Sequence, residues 1–444
     1  MGPAMKKSKK AEICIIGAGA SGLSAAYYLR KKGYKNVVVL EKNSYVGGMC
    51  FSETKYGMAN GMGAVAITKD YKNVISLCKK YRLDIVRGPR NVILDHTTGF
   101  QYSLRWIINN ASMLPFLWSI IKFYLYIFKY RKHVHRPGFR KLNDEISMNF
   151  SAWLKMKNME NLGQFLCVPI TCFGYGYLDE IPAVYVFKYL NLINFTTLLY
   201  LGLCDIAGLN PRWTKRLTNG LQDLFQAMAD DLGNIQLSVK ITNIHRDHPG
   251  QHPVAIKYAS KDGKRHTHYC DRLIIAMCPD LHNIKFMDFS PEEEAIFSLV
   301  KHNNYYTIAC DVKSFSYNYF LNLFSKRVFK LPPDGYPFMA SKVWDECDIV
   351  IFYSYSRKPI TDKAVTDNLK ANLKTMNRQL LHITEYKKWD YFPHFASRAL
   401  SDGIMERLER NQGANNTYYT GGLMNFELVE NVIAYSKHIV RKHF

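Results

Sequence analysis

Residues 11–41 combine short apolar runs with one amphipathic segment, in the order strand, helix, strand. The run AEICIIG is rich in β-branched residues and predicts a buried parallel strand. Apolar Leu23, Ala26 and Leu29 then recur at helical spacing and predict an amphipathic helix. A second apolar run, NVVVLE, predicts a strand that ends at Glu41. This succession predicts an α/β fold that begins with a parallel sheet.

Two later stretches continue the same alternation. Leu224 and Met228 belong to an apolar face at helical spacing, and an alternating strand follows them. The run YCDRLIIAMCP predicts a short buried strand that closes the sheet. Near the end of the chain, a strand runs into Gly421 and Gly422, and a helix is predicted to begin near Glu427.

Two long apolar tracts lie between these stretches, at 113–128 and 186–209. Neither has the length and continuity of a clean membrane span, since Pro115 and Lys122 interrupt the first. The segment 111–141 is apolar and then basic, which suits a helix lying on a membrane surface. A buried helix with a basic end fits the pattern equally well. From His96 to Asn143 the chain has no acidic residue, and its basic residues are Arg105, Lys122, Lys129, Arg131, Lys132, Arg136, Arg140 and Lys141.

The turn between the first strand and the first helix carries the motif GxGxxG at Gly17, Gly19 and Gly22. The first glycine permits a tight turn, the second lets the backbone approach a pyrophosphate, and the third lets the helix pack closely on the strand. The helix N-terminus faces the phosphates, and Glu41 is placed to bind a ribose. The motif therefore predicts a Rossmann-type dinucleotide site.

The residues after Glu41 distinguish between nucleotides. The extension EKNSYVGG places Gly47 and Gly48 shortly after the acid, and this resembles the flavoprotein family of amine oxidases and phytoene desaturases. The resemblance implies FAD as the cofactor. Amine oxidases usually carry Arg after the glycine pair, whereas Met49 and Cys50 follow it here. Both a covalent thioether at Cys50 and a non-covalent neighbour of the flavin remain open.

A second resemblance concerns the sequences GGMCFS and YGMANGMGAV. The triplet Met62-Gly63-Ala64 and the later Tyr71 are similar to the polyunsaturated fatty acid isomerase branch of that family. The family also implies a backbone contact to the adenine near Ile241 and a cofactor contact at the C-terminal helix. The predicted cofactor-binding residues are Gly17, Gly19, Ala20, Ser21, Gly22, Glu41, Lys42, Gly47, Gly48, Met49, Gly63, Ala64, Ile241, Gly421, Gly422, Glu430 and Val432.

The remaining sequence is rich in aromatic residues, with 30 Tyr and 25 Phe. Aromatic and aliphatic tracts suit either an ordinary core or a long lipophilic cavity. If the substrate is a fatty acid, its carboxylate needs a cation, and Arg87 and Arg90 are the predicted candidates. Tyr391 and Phe392 are predicted to line the same pocket.

The chain has 59 Lys and Arg against 37 Asp and Glu, a net charge of +22. This charge favours anionic partners such as a membrane surface or an acidic substrate. No nucleic-acid-binding motif accompanies it, so no nucleic acid is expected. The ten cysteines lack metal-ligand spacing, and no metal site is predicted. A cytoplasmic location, at the inner face of a membrane if the basic helix binds there, is expected.

The predicted fold is a Rossmann-type FAD-binding domain with an inserted α+β substrate domain, as in amine oxidases. The FAD-binding domain is predicted over 1–95, 212–285 and 388–444, and the substrate domain over 96–211 and 286–387. One GxGxxG leaves no second nucleotide unit for NAD(P)H, so the hydride is expected to come from a lipophilic, anionic substrate. The first hypothesis is a fatty acid double-bond isomerase in which flavin N5 does the chemistry and no side chain is assigned as catalytic. The alternatives are an oxidase or desaturase of amines or isoprenoids, and a flavin-holding protein at a membrane surface.

Overall fold

The computed structural model describes residues 9–95, 101–102, 113–209, 211–313, 315, 319–324 and 333–444. The helices are α1 (Ala20–Lys31), α2 (Lys72–Lys80), α3 (Met113–Val134), α4 (Asp144–Ser147), α5 (Phe150–Met156), α6 (Gly163–Thr171), α7 (Ala183–Tyr189), α8 (Leu192–Ile206), α9 (Gln222–Leu232), α10 (Pro291–Phe297), α11 (Asp362–Thr375), α12 (Ser397–Ser401), α13 (Ile404–Arg410), α14 (Gly422–Asn425) and α15 (Val429–His443). The strands are β1 (Ile13–Ile16), β2 (Val37–Leu40), β3 (Ser52–Lys55), β4 (Met58–Gly61), β5 (Ile85–Arg87), β6 (Arg90–Asp95), β7 (Gln101–Tyr102), β8 (Lys215–Leu217), β9 (Ile235–Gln236), β10 (Lys240–His245), β11 (Val254–Ala259), β12 (Arg265–Cys270), β13 (Arg272–Ile275), β14 (Val300–Lys313), β15 (Tyr319–Phe324), β16 (Pro337–Ser341), β17 (Ile349–Ser356), β18 (Gln379–Phe395) and β19 (Thr417–Tyr419).

The predicted parallel sheet is built from three separated stretches of the chain. Its strand order is β19-β13-β1-β2-β9, and every pairing is parallel. All four residues of β1 and of β13 are buried, which explains why both strands are continuous apolar runs. Because the strands are parallel, their carboxyl ends meet at one edge, where doubly wound sheets bind ligands.

The second large sheet has the order β18-β14-β17-β16-β15-β6-β7. It is mostly antiparallel, and β14 pairs along its length with the long strand β18. The predicted domain limit between 387 and 388 falls inside β18, and β6, which precedes the limit at 95, belongs to this second sheet. The division of the chain into two domains stays a prediction.

Helices α3 to α8 pack around an aromatic cluster. The Phe123 ring stacks on Phe187 at 5.3 Å between centroids, and Trp153 is fully buried beside them. Such ring pairs stabilise a core beyond their area of contact. Among the described residues, no single helix is both long and apolar enough to cross a membrane; one pair, Ala183–Tyr189 and Leu192–Cys204, passes that test together with a 77° bend.

The local predictions of helices agree with the structure apart from their ends. The helix predicted around Leu224 is α9, and it stops at Gly233, whose φ of 77° forms a left-handed cap. The C-terminal helix begins at Val429 rather than near Glu427. The short helix α14 follows Gly421 instead, so the chain turns twice before the long helix starts.

Candidate functional site

A cavity of about 1160 Å³ opens at the carboxyl edge of the parallel sheet. One end is lined by the glycine loops after β1, β2 and β19, and the other by aromatic and aliphatic side chains from α6, α8, β14 and β18. Sites for drug-sized ligands range from about 300 to 1000 Å³. The cavity is therefore larger than the usual site for a single drug-sized ligand.

The loop after β1 has the geometry that the glycine motif predicts. Gly17 has a φ of 102°, and Gly19 caps α1 without a side-chain hydrogen bond to the first turn of the helix. The amide groups of that turn are thus available to an anion. Ala20 and Ser21 line the cavity with Gly17 and Gly19. Gly22 lies beneath them, where an added Cβ would stand 1.9 Å from the Gly17 carbonyl oxygen, so its role is packing.

Glu41 is fixed by the backbone around it. One carboxylate oxygen accepts a hydrogen bond from the Ala18 amide at 2.7 Å, and the other accepts from the Asn43 amide at 2.8 Å. Each oxygen keeps a further lone pair, so the carboxylate remains able to accept ribose hydroxyls. Glu41 and Lys42 both line the cavity.

The second glycine pair lies directly against the first loop. The Gly47 amide donates to the Ala18 carbonyl at 2.9 Å, and a Cβ on Gly48 would stand 3.2 Å from the Gly19 Cα. Close by, a Cβ on Gly63 would stand 1.8 Å from the Met49 carbonyl oxygen. Met49, Cys50, Gly63 and Ala64 line the cavity. At Gly48 and Gly63 a side chain would collide with the neighbouring backbone, so glycine lets the loops pack together and present a backbone cradle to the cavity, and this fits a phosphate and ribityl chain.

The C-terminal turn completes this end of the cavity through Gly421, Gly422 and Val432, as predicted. Glu430, by contrast, lies outside the cavity wall that the described residues form. Its carboxylate accepts from the backbone amides of Asn73 at 3.0 Å and Val74 at 3.1 Å. These are N-terminal amides of α2 that otherwise lack partners within the helix, so Glu430 caps α2, and its predicted contact with the cofactor stays a prediction.

Ile241 also lies outside the wall. It is a half-buried residue of β10 that packs against the core. The backbone contact next to the acidic residue comes from Val239, whose amide donates to the Glu41 carbonyl at 2.8 Å.

The other end of the cavity is a chamber with aromatic walls. Tyr391 stacks on Tyr305 at 4.7 Å and on Tyr175 at 5.8 Å between ring centroids. Trp389 is held by a hydrogen bond from its indole nitrogen to the Thr307 hydroxyl at 2.9 Å. The chamber is lined by Val168, Phe173, Tyr175, Tyr189, Leu198, Leu201, Trp213, Tyr305, Met339, Trp389 and Tyr391.

Three predicted substrate residues have other places in the structure. Phe392 is buried behind the chamber, with its ring 5.3 Å from Tyr175 and 5.2 Å from Phe426. Arg87 and Arg90 are exposed at the end of β5 and the start of β6, and they lie outside the cavity wall of the described residues. Side chains alternate between the faces of a strand, and these arginines point to solvent.

Two basic residues of β18, Lys387 and Lys388, line the cavity, and Lys387 is the one on the chamber face of the strand. It shares a face of the strand with Trp389 and Tyr391, since alternate residues point the same way. Its ammonium lies 4.4 Å from the centre of the Phe51 ring and 3.4 Å from the Glu385 carboxylate. Sequence reasoning missed it because the long strand β18 was not predicted.

Glu427 was missed as well. It lines the cavity at the junction of its two ends, and a Cβ on Gly422 would overlap its carboxylate. Burial raises its pKa to about 7, although the nearby His302 opposes the shift. The Tyr175 hydroxyl donates to its backbone carbonyl at 3.4 Å. The sequence does contain a sign of this residue: it is an acidic residue within the apolar stretch between Gly421-Gly422 and the last helix.

A cluster of Cys278, Asp280 and His302 adjoins Glu427. His302 Nε2 is 3.2 Å from an Asp280 oxygen, and His302 Nδ1 is 3.8 Å from the Cys278 sulfur. Burial opposes ionisation of Asp280, but hydrogen bonds from His302 and Asn283 lower its pKa to about 2. Although the three ligand atoms lie within 4.8 Å of one another, burial raises the pKa of the Cys278 thiol.

Comparison with known proteins agrees with this geometry. The NAD(P)-binding Rossmann-like domain family matches residues 15–81. The chain is 24% identical to an uncharacterized protein of Acanthamoeba polyphaga mimivirus, over 94% of this chain and 90% of that protein. It is 44% identical to a polyenoic fatty acid isomerase of Ptilota filicina over 59 residues, which cover 13% of this chain and 12% of that enzyme.

Two solved structures share the fold over their whole length. The CLA-producing fatty acid isomerase from P. acnes superposes with a TM-score of 0.84 at 24% identity, covering 98% of this chain and 99% of that one. A putrescine oxidase superposes with a TM-score of 0.68 at 14% identity, covering 97% and 98%. The predicted fold class and the resemblance to the amine oxidase and desaturase superfamily are confirmed. A flavin-containing monooxygenase of Arabidopsis thaliana, 53% identical over 20% of this chain and 18% of that protein, supports an enzyme of the flavoenzyme type with a flavin as its cofactor.

Proposed function

We propose that this protein binds FAD in the glycine-lined end of the cavity and isomerises double bonds of a fatty acid held in the aromatic chamber. The observation that carries the proposal is the continuity of the two ends in one cavity. Two isomerases support it: the enzyme from P. acnes resembles the chain in fold, and the enzyme from Ptilota filicina resembles it over a segment of 59 residues.

The residues that would hold FAD are those of the backbone cradle. Amides at the start of α1 would bind the pyrophosphate, Glu41 the ribose, and Gly47, Gly48 and Gly63 would leave room for the ribityl chain. A bound flavin would supply a hydride acceptor and donor at its N5 atom, which is the chemistry that a double-bond shift without an external oxidant requires.

The chamber residues position the chain and exclude water. Tyr305 and Tyr391 confine a flexible alkyl chain against rigid rings, and aromatic rings also stabilise positive charge that develops on a delocalised system. Burial raises the pKa of both tyrosines, so they stay neutral at physiological pH. Lys387 replaces the two predicted arginines as the cation for the carboxylate.

Linoleic acid added to the flavin-loaded protein without oxygen tests the proposal. We expect conjugated-diene absorbance to rise over many turnovers per flavin while the flavin spectrum returns to its oxidised form. The same protein stripped of flavin is the control. Bleaching that reverses only when air is admitted would instead identify an oxidase or desaturase. A flavin that stays oxidised with fatty acids, amines and isoprenoids would identify a flavin-holding protein.

A further inference from the structure

Helix α3 is apolar on two opposite sides. Its inner side carries Phe116, Phe123, Ile127 and Tyr130, which are buried in the aromatic cluster. Its outer side carries Leu114, Trp118, Ile121, Leu125 and Phe128, all of them exposed. These five residues recur every three or four positions, so they form a stripe along one side of the helix. A helix that only completed a core would be polar on this outer side.

The stripe continues onto α8. The Tyr124 and Thr196 hydroxyls are hydrogen-bonded at 3.0 Å, and the rings of Phe123 and Phe195 lie 4.6 Å apart. The two helices are therefore neighbours. The outer side of α8 exposes Leu192, Tyr200 and Leu203, the last at 66%. Most of the exposed large hydrophobic side chains in the described residues lie on these two helices.

Positive charge borders the apolar stripe. The last turns of α3 carry exposed Lys129, Arg131 and Lys132, and the helix has no acidic residue. The Arg131 guanidinium lies 3.8 Å from the centre of the Phe128 ring, which places charge beside the apolar edge. Exposed Arg136 and Arg140 follow the helix. An apolar face with a basic border suits an anionic bilayer surface.

Charge also decides between two occupants of this surface. The chain carries a net charge of +22, so a second copy would bring further positive charge toward the basic border of α3. Anionic lipid headgroups complement that border instead, and acyl chains complement the apolar stripe. Large exposed apolar patches on soluble proteins mark interaction sites.

We propose that α3 and α8 form a membrane-docking face, made of Leu114, Trp118, Leu125 and Phe128 with Tyr200 and Leu203, which lies in the interface of an anionic bilayer. The protein docks on one leaflet through this face. The inner side of α8 lines the cavity through Thr197, Leu198 and Leu201. This last step rests on the proposed function: because one helix contacts both the bilayer and the cavity, a fatty acid can pass along α8 from the bilayer into the chamber.

Flotation with vesicles tests docking without any substrate. Wild-type protein is mixed with vesicles of phosphatidylcholine and phosphatidylglycerol, and with vesicles of phosphatidylcholine alone. The triple variant Trp118→Ser, Leu125→Ser, Leu203→Ser is expected to bind anionic vesicles at least about a hundredfold more weakly. The matched control replaces Tyr56, Leu299 and Leu381 by Ser, three exposed apolar residues outside the docking face, and should bind like the wild type.

The double variant Arg131→Gln, Lys132→Gln separates the two components of binding. It should bind anionic vesicles about tenfold or more weakly and neutral vesicles unchanged, since each basic residue near an anionic surface contributes a few-fold. Sedimentation velocity of the same proteins identifies the competing occupant. If the wild-type protein binds neither kind of vesicle, the docking proposal is overturned. If the wild-type protein is then a dimer and the triple variant is a monomer, the face is the contact surface for a second copy of the chain. Vesicle binding with no isomerase activity would leave docking intact and reject the proposed function alone.

Discussion

The two ends of the cavity are built by different means. At the nucleotide end the walls are backbone, with Gly17, Gly47 and Gly421 at φ values of 102°, 104° and 132°. At the chamber end the walls are side chains brought together from α6, α8, β14 and β18. Backbone walls tolerate no added atoms, whereas side-chain walls tolerate exchange of similar volume. The first end therefore fixes which cofactor is held, and the second can change substrate while the fold stays the same.

The sharpest test of the backbone end is Gly22→Ala. The new Cβ would stand 1.9 Å from the Gly17 carbonyl oxygen, so α1 must move away from the loop that it orients. We expect purified protein to contain almost no flavin and to lose ~1–3 kcal/mol of stability, the usual cost of overpacking. Flavin absorbance per protein and thermal unfolding measure both effects.

Gly202→Ala is the matched control, because it adds the same methyl group to a glycine in α8. Its Cβ would stand 3.6 Å from the Phe165 ring, an ordinary contact. Alanine is preferred over glycine within helices by ~1 kcal/mol, so this variant should retain flavin and be as stable as the wild type or slightly more so. Equal flavin contents in the two variants would contradict a backbone-defined cofactor site.

Glu427, where the two ends meet, gives the next largest effect. Burial raises its pKa from 4.5 to about 7. The folded protein then holds the proton more tightly than the unfolded chain, so stability is lost as pH rises from 4.5 to 7. In flavin-free protein, Glu427→Gln should be more stable than the wild type by ~3 kcal/mol above pH 7, and no different near pH 4.5. Thermal unfolding over this range measures the difference.

Glu430→Gln, three residues further on, should change stability in the opposite direction. Burial raises the pKa of Glu430 as well, but the amides of Asn73 and Val74 oppose that shift, and weakening their hydrogen bonds to the carboxylate costs ~1 kcal/mol. A variant at position 427 that loses stability above pH 7 as well would mean that the Glu427 carboxylate is ionised and partnered in the folded protein.

The same contrast explains what the sequence predicted. Glycines that the sequence pattern singled out line the cavity, among them Gly17, Gly19, Gly48 and Gly422. Each belongs to a local turn that needs glycine for a steric reason, so the sequence alone is enough to predict it. Arg87 and Phe392 were predicted to line the pocket because they lie close in sequence to recognisable segments. Which face of a strand points into the cavity depends on how the whole sheet packs, and this does not follow from the local sequence.

Other misses have the same origin. Glu430 carries the charge expected near a cofactor, but α2, which is distant in sequence, supplies its partners. Lys387 faces the chamber only because β14 and β18 pair with Trp389 opposite Tyr305. Contacts between elements far apart in the chain leave no local pattern, which is why the residues predicted to bind the cofactor mostly line the cavity, whereas only Tyr391 of the residues predicted to bind the substrate does so.

The smallest predicted effect concerns the chamber end of the cavity and is tested by substituting two adjacent lysines of β18. Lys387→Gln removes the cation that shares a strand face with Trp389 and Tyr391. Lys388 also borders the cavity, but its ammonium lies 6.0 Å from the centre of the Tyr306 ring on the opposite face of the sheet, so Lys388→Gln removes a charge that points away from the chamber. We expect Lys387→Gln to raise KM for linoleate about tenfold, which is the loss of one charge-assisted hydrogen bond, and to leave kcat and flavin content unchanged. Lys388→Gln should match the wild type. Because the methyl ester of linoleate carries no charge, it should not distinguish Lys387→Gln from the wild type, and an equal loss with the ester would place the substrate carboxylate elsewhere.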